Sequence, residues 1–337
     1  MLCCLVAGSA LAEESLRSRF EYGAALKEAG DCAAALPVFE EVANADVAAG
    51  EDAADAWLPV YAHYNAATCH EALGSPSRAR GHYDTLVAAH PALPDGLLAD
   101  ALYRRALLDV LPGTVSRSAR RDLLRVRRLS TSPLAKALVD LQLARLDSLA
   151  GRDRAALPRL LRAGEALESA GDDVEVDRRG APLDWYRAEA SLVRATLWAN
   201  RARKTRLRLT PLGSVTDRIR ARADALATAE SHYAVAAGLP FVWAPRSLLD
   251  LGHAWLETAE ALATLRDEAA AHPRPEAAAL REWLASRVPA QFRKAAEAWQ
   301  LCGESAQVLG IGREVAAQCR ADLDALLTHP ALQPGAP

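Results

Sequence analysis

The chain has 337 residues, of which 51% are hydrophobic, 5% aromatic and 25% charged, with a formal net charge of -3. Isoleucine occurs only at Ile219 and Ile311 while Ala, Leu and Arg recur throughout, which argues against a sheet-dominated fold and for an all-α one, because strands draw on β-branched and aromatic residues. The near-balanced charge argues equally against disorder by self-repulsion and against a global attraction to nucleic acid.

Residues 1–12, MLCCLVAGSALA, form an uncharged apolar run too short to span a bilayer, followed by Glu13-Glu14. Ala10 and Ala12 are the small residues that a signal peptidase accepts, so cleavage after Ala12 is expected, with the basic leader lost to a truncated start. This predicts a periplasmic or secreted protein. The alternatives are a cytoplasmic protein whose first helix frays, or a lipid-anchored Cys3 or Cys4. No later window is apolar and uncharged over the length that a membrane helix needs.

Three segments then align with one another: residues 22–39, 65–91 and 143–160. Each has a small residue in a first helix (Gly23, Ala67, Ala144), a turn glycine (Gly30, Gly74, Gly151) and a small residue in a second helix (Ala35, Ala79, Ala156). Four places on, each has a large one (Phe39, Tyr83, Leu160), and Pro91 closes the second unit. Small residues let paired helices approach, the glycine ends the first helix without strain, and the large side chain fills the next gap.

This pattern resembles the tetratricopeptide repeat (TPR) family. Farther along, Tyr233, Gly238-Leu239-Pro240, Trp243 and Leu251-Gly252-His253-Ala254-Trp255 are similar to the carboxy-terminal region of secreted TPR proteins from delta-type proteobacteria. The resemblance implies a right-handed superhelix of antiparallel helical hairpins, an α-solenoid. It further implies a non-enzymatic scaffold that binds a protein partner on a concave surface made by the first helices. In the first units Arg17, Arg19, Lys27, Tyr61, Tyr64 and Thr68 are expected to face that surface. The pattern has departures: Val47 stands where a terminal proline belongs, Asp147 stands at an aromatic position, and the turn glycines are spaced by 44 and 77 residues. Pro37 and Pro158 each remove a hydrogen bond from a second helix and should bend it.

The organisation read from these signals is a TPR-like pair at 13–94, degenerate helical repeats at 95–172, a long-helix region at 182–328 and a loose tail at 329–337. Helices are expected over 97–111 and 117–129, separated by Leu111-Pro112-Gly113. After an acidic and Gly/Pro-marked loop near 171–182, further helices are expected over 185–207, 215–237, 244–271, 282–309 and 313–327.

With Cys3 and Cys4 removed, four cysteines remain: Cys32, Cys69, Cys302 and Cys319. The midpoint of the first pair falls beside Gly50 and that of the second at Gly310-Ile311-Gly312. Residues equidistant from the turn of a helical hairpin lie side by side, so each pair is a candidate disulfide; the alternative is four buried thiols.

No catalytic constellation stands out, and no cofactor is expected. His70-Glu71 begins a zinc-protease motif, but Gly74 stands where its second histidine belongs, and Ser305 lacks the closing glycine of a nucleophile elbow. His63, His70, His82 and His90 fall within one repeat; His63 and His70 occupy packing positions, so core filling rather than a metal is the expectation. Two arginine runs, 117–128 and 201–222, read as solvated helix faces, with a strip for an acidic partner as the alternative. The tryptophans of the second half, at 185, 198, 243, 255, 283 and 299, are expected in the core. The expected partner is a protein, such as an envelope or motility complex, with no nucleic acid. A cytosolic adaptor of the same fold is the first alternative, and an enzyme with a helical active site the second.

Overall fold

The computed structural model describes residues 15–45, 57–89, 93–110, 113–170, 182–310 and 313–329. The signal-like segment 1–12, Val47, Gly50, Pro91, the loop over 171–181 and the tail over 330–337 lie outside them. Among the described residues there are 13 α-helices and no strand, as the composition required. The chain divides into two compact units, 1–130 and 131–337, at a boundary inside the 95–172 stretch that the sequence suggested as one segment.

The first unit contains α1 (Leu16–Glu28), α2 (Cys32–Ala43), α3 (Leu58–Ala72), α4 (Pro76–Ala88), α5 (Asp95–Val110) and α6 (Arg117–Leu129). Helix starts are set by side chains that satisfy the orphan amides: Ser15 accepts from the Ser18 N–H at 3.2 Å, Asp31 from Ala34 at 2.9 Å and Ser116 from Ala119 at 3.2 Å. The end of α1 is set by Gly30, whose φ of +83° admits two closing bonds, Gly30 N–H to Lys27 O and Asp31 N–H to Leu26 O, both 2.9 Å. The same pair of bonds closes α3 at Gly74 and, less obviously from sequence, α5 at Gly113. The 77-residue interval between Gly74 and Gly151 thus divides at Gly113 into 39 and 38, and the irregular spacing becomes a regular one.

Each helix of this unit packs on the next, and α1 also packs on α3. Ala35, Phe39, Ala67, Ala79 and Tyr83 are fully buried. A Cβ on Gly23 would lie 3.0 Å from Phe39 Cε1, so the aromatic ring of α2 rests directly on the backbone of α1. Helix α2 continues through Pro37.

The second unit contains α7 (Pro133–Leu149), α8 (Asp153–Ser169), α9 (Leu183–Lys204), α10 (Val215–Ala237), α11 (Trp243–Ala270), α12 (Pro275–Leu309) and α13 (Arg313–Leu327). Consecutive helices again pack together, and so do the alternate pairs α7 with α9, α9 with α11 and α11 with α13, the neighbour relations of a helical solenoid. Gly151 has φ +69°, and Ala156 and Leu160 are fully buried. Helix α8 continues through Pro158. The Asp147 departure has a physical reason. Its fully buried carboxylate pairs with Arg152 Nε at 2.9 Å and Arg159 Nε at 3.3 Å, so a charged tie between α7 and α8 stands where an aromatic ring would otherwise fill space.

Trp243, Trp255 and Trp299 are buried, and Trp185 and Trp198 pack against the same core; Trp283 departs from the expectation at 43% exposure. Trp299 brings the nitrogen edge of its indole against α11 because Gly252 has no side chain: a Cβ there would come within 2.2 Å of the indole nitrogen, which donates to Leu249 O at 3.3 Å. Cys302 and Cys319 form a disulfide that joins α12 to α13, with Cα atoms 6.2 Å apart, as their equal distance from the Gly310 turn predicts.

Two stability outcomes follow from this packing. Gly252→Ala drives a methyl into the Trp299 ring and should destabilise by about 1–3 kcal/mol, whereas Gly303→Ala, with open space at its Cβ, should stabilise by about 0.5–1 kcal/mol; urea unfolding of the two variants measures both signs. Cys302→Ser should cost about 3 kcal/mol for a loop of this size, read as a lower thermal midpoint and as faster amide exchange over Arg313–Leu327, with reductant reproducing the effect on the unaltered chain.

Candidate functional site

The first helices of the first unit, α1, α3 and α5, meet in a connected polar network. Lys27 Nζ on α1 donates to Asn65 Oδ1 on α3 at 2.7 Å and stands 5.9 Å from the centre of the Tyr64 ring. The Tyr64 hydroxyl donates to Asp100 on α5, and the Arg104 guanidinium lies over the same ring at 5.8 Å. Arg104 pairs with Asp100 at 3.4 Å within α5 and with Glu71 on α3 at 3.3 Å, and Glu71 accepts from the buried Tyr83 hydroxyl of α4 at 2.6 Å. Burial, reinforced by the neighbouring carboxylates, pushes both tyrosine hydroxyls up, so they remain donors. Burial also lowers Lys27 from its ordinary value. The network thus joins α1, α3 and α5 through hydrogen bonds and ion pairs that fix these side chains relative to one another.

Of the six residues expected on this face, Lys27 and Tyr64 enter the network. Tyr61 and Thr68 share the stripe of α3 that carries Tyr64, being three residues before it and four after. Tyr61 is 41% exposed, and the Thr68 hydroxyl donates to Asn65 O at 2.9 Å. Arg19 is placed differently: it pairs with Glu41 of α2, so it closes the first hairpin. Arg17 is exposed on α1. Sequence reasoning missed Asp100 and Arg104, because α5 carries none of the repeat residues that set the register of the other first helices.

A second cluster lies where α2, α3 and α4 meet. His70, almost fully buried, has its Nε2 3.2 Å from Glu40 Oε1 of α2. His82 of α4 stacks on His70 with centroids 5.4 Å apart, and its Nδ1 lies 3.0 Å from Nδ1 of His63. Burial lowers the pKa of His63, and burial together with the charges of His63 and His70 lowers that of His82. One donor atom from each of Glu40, His70 and His82 lies within 4.8 Å of the others.

For Cys32 and Cys69 the structure has the thiol alternative and not the candidate disulfide: both are free thiols, in hydrogen-bonding contact between α2 and α3, with Cys69 buried and Cys32 partly so. Equidistance across the turn delivered proximity alone. Burial and then the neighbouring Cys32 push the Cys69 thiol up to about 12.

The arginine runs fare unequally. Arg203 pairs with Glu257 at 2.7 Å, Lys204 with Asp153 at 2.5 Å, and the buried Arg222 donates to Glu257 O at 3.0 Å, so much of the second run works as helix-to-helix ties. In the first run Arg117, Arg121 and Arg128 are exposed on α6. A cleft of about 360 Å³ opens among α10, α11 and α12, where Leu226, Leu262 and the exposed Trp283 share the lining with Arg222, Glu230 and Arg287, and Lys294 Nζ stands 3.9 Å over the Trp255 ring.

No protein-family model matches the chain, and no curated protein matches it. The site is therefore read from its own geometry.

Arg104→Met should cost about 3 kcal/mol, because it strands two carboxylates in a poorly hydrated setting, whereas Arg19→Ala, which removes a surface pair, should cost about 0.5 kcal/mol or less. Urea midpoints of the two variants check the contrast.

Proposed function

We propose that the chain is a non-enzymatic scaffold of the TPR type, exported to the bacterial cell envelope, which binds a protein partner on the concave face of a right-handed array of hairpins. The observation that carries the reading is the face formed by α1, α3 and α5, where the exposed Tyr61 shares a helix stripe with Tyr64, and Tyr64 sits in a network of hydrogen bonds and ion pairs that runs from Lys27 to Arg104. Tyrosine on a preorganised surface gives a large contact area at small entropic cost, and side chains already fixed by ion pairs lose little freedom when a partner arrives. The fully buried repeat residues and the left-handed turn at Gly113 support the TPR assignment. The Cys302–Cys319 disulfide is compatible with an oxidising compartment.

A photo-crosslinking residue at Tyr61 tests the reading when the protein is expressed in its native cells. A discrete partner adduct at position 61, absent when the label stands at Arg128 on α6, is the expected result; adducts of equal yield at both positions, or at neither, would sink the idea. A cytosolic adaptor of the same fold draws its support from the thiols of Cys32 and Cys69, which stand in contact without bonding. Mass spectrometry of the native chain separates the two: a new amino terminus at Glu13 supports export, and an intact Met1 with Cys32, Cys69, Cys302 and Cys319 all reduced supports the cytosolic reading.

A further inference from the structure

The histidine cluster of the first unit is more than filler. A buried imidazole that serves only as packing needs one partner for its donor and a neutral environment; here three imidazoles and a carboxylate from three consecutive helices converge on one point. Glu40 comes from α2, His63 and His70 from α3, and His82 from α4. One donor atom from each of Glu40, His70 and His82 lies within 4.8 Å of the others, and among the described residues no other group of three His, Cys, Asp or Glu side chains is gathered in this way. We propose that Glu40, His70 and His82 form a binding site for a divalent transition-metal ion of the zinc type, which clips α2, α3 and α4 together.

The donor chemistry selects the class of ion. Two neutral imidazoles and one carboxylate are borderline ligands that suit Zn²⁺ and its first-row neighbours, whereas Ca²⁺ and Mg²⁺ take oxygen shells. Bonds of about 2.0–2.1 Å in a tetrahedral arrangement place ligand atoms about 3.4 Å apart. The His70 Nε2 to Glu40 Oε1 separation of 3.2 Å already matches that spacing. Closing the rest takes a modest side-chain adjustment of Glu40 and His82, both only half-buried, within the limit that the His63 contact sets on the His82 ring. His63 is a positioning residue: its Nδ1, 3.0 Å from Nδ1 of His82, fixes the orientation of that ring. Three protein ligands leave the fourth position to water. The burial that depresses His63 and His82 keeps these rings neutral, the form in which they bind metal. The thiols of Cys32 and Cys69 face each other elsewhere between α2 and α3 and are no part of this set.

The test uses the full chain, disulfide intact and without an affinity tag, stripped with a chelator and titrated calorimetrically with Zn²⁺; Co²⁺ serves as the spectroscopic probe. One equivalent of Zn²⁺ should bind with a Kd of roughly 10 µM or tighter, raise the thermal midpoint in step with its concentration, and give with Co²⁺ the visible d–d bands of a four-coordinate site. Glu40→Gln and His82→Gln should each weaken binding by about tenfold or more, while their helical circular dichroism stays that of the unaltered chain. His63→Ala should weaken binding less and alter the Co²⁺ spectrum, a change that a purely structural role would not produce. The Cys32→Ser, Cys69→Ser double variant should bind like the unaltered chain. No Zn²⁺ binding at about 100 µM overturns the proposal, as does binding that survives Glu40→Gln and His82→Gln or disappears in the double cysteine variant.

Discussion

Both units depend on a large side chain reaching the backbone of a neighbouring helix at a position that carries no side chain. Phe39 lies on Gly23 in the first unit and Trp299 on Gly252 in the second. Helices that touch in this way bring alanines such as Ala35, Ala79 and Ala156 to full burial, and a chain that is only 5% aromatic can still fill its core. The same close approach delivers side chains of one helix to those of the next. The α1–α3–α5 network and the convergence of α2, α3 and α4 on the histidines are by-products of that packing distance.

Much of the fold was legible because its signals are local. Alanine and leucine content set the class, the turn glycines set the hairpins, and symmetry about Gly310 placed Cys302 beside Cys319. The bounds expected for α6, α10 and α13 coincide with those observed. Legibility failed where the answer depended on the register between helices. His63 and His70 share a helix, so their common face shows in the sequence, but Glu40 and His82 join them only once α2 and α4 have been docked on α3. Asp100 and Arg104 were hidden for the same reason. Cys32 and Cys69 show the limit from the other side: the hairpin argument placed them together and could not supply the bond.

Buried acids are paired in both units, and in the first Asp122 of α6 accepts from Arg105 of α5 at 2.8 and 2.9 Å. In the second, buried acids are met by arginines of their own or the adjoining helix: Asp147 by Arg152 and Arg159, and Glu189 by Arg145 at 2.9 Å, with Gln142 as a further donor at 2.9 Å. Such ties favour one register over its slipped alternatives, since a slip would strand a carboxylate in a dry setting. An arginine-rich sequence that looks like a basic patch is in large part a set of fasteners. Arg117, Arg121 and Arg128 of α6 are exposed, as are Arg208 and Arg220, and those of α6 sit on the helix face opposite Leu123 and Val126.

Helix lengths in the second unit are unequal. With 35 residues α12 runs for about 52 Å, against about 22 Å for the 15 residues of α13. A short helix folded back from Gly310 flanks only the later part of the long one. The earlier part, from Pro275 to about Lys294, overhangs it, and Trp283, Arg287 and Lys294, which line the cleft toward α10 and α11, all belong to that overhang. The cleft thus lies along the part of α12 that α10 and α11 flank, and among the described residues its walls are set by those three helices and the Leu207 side chain.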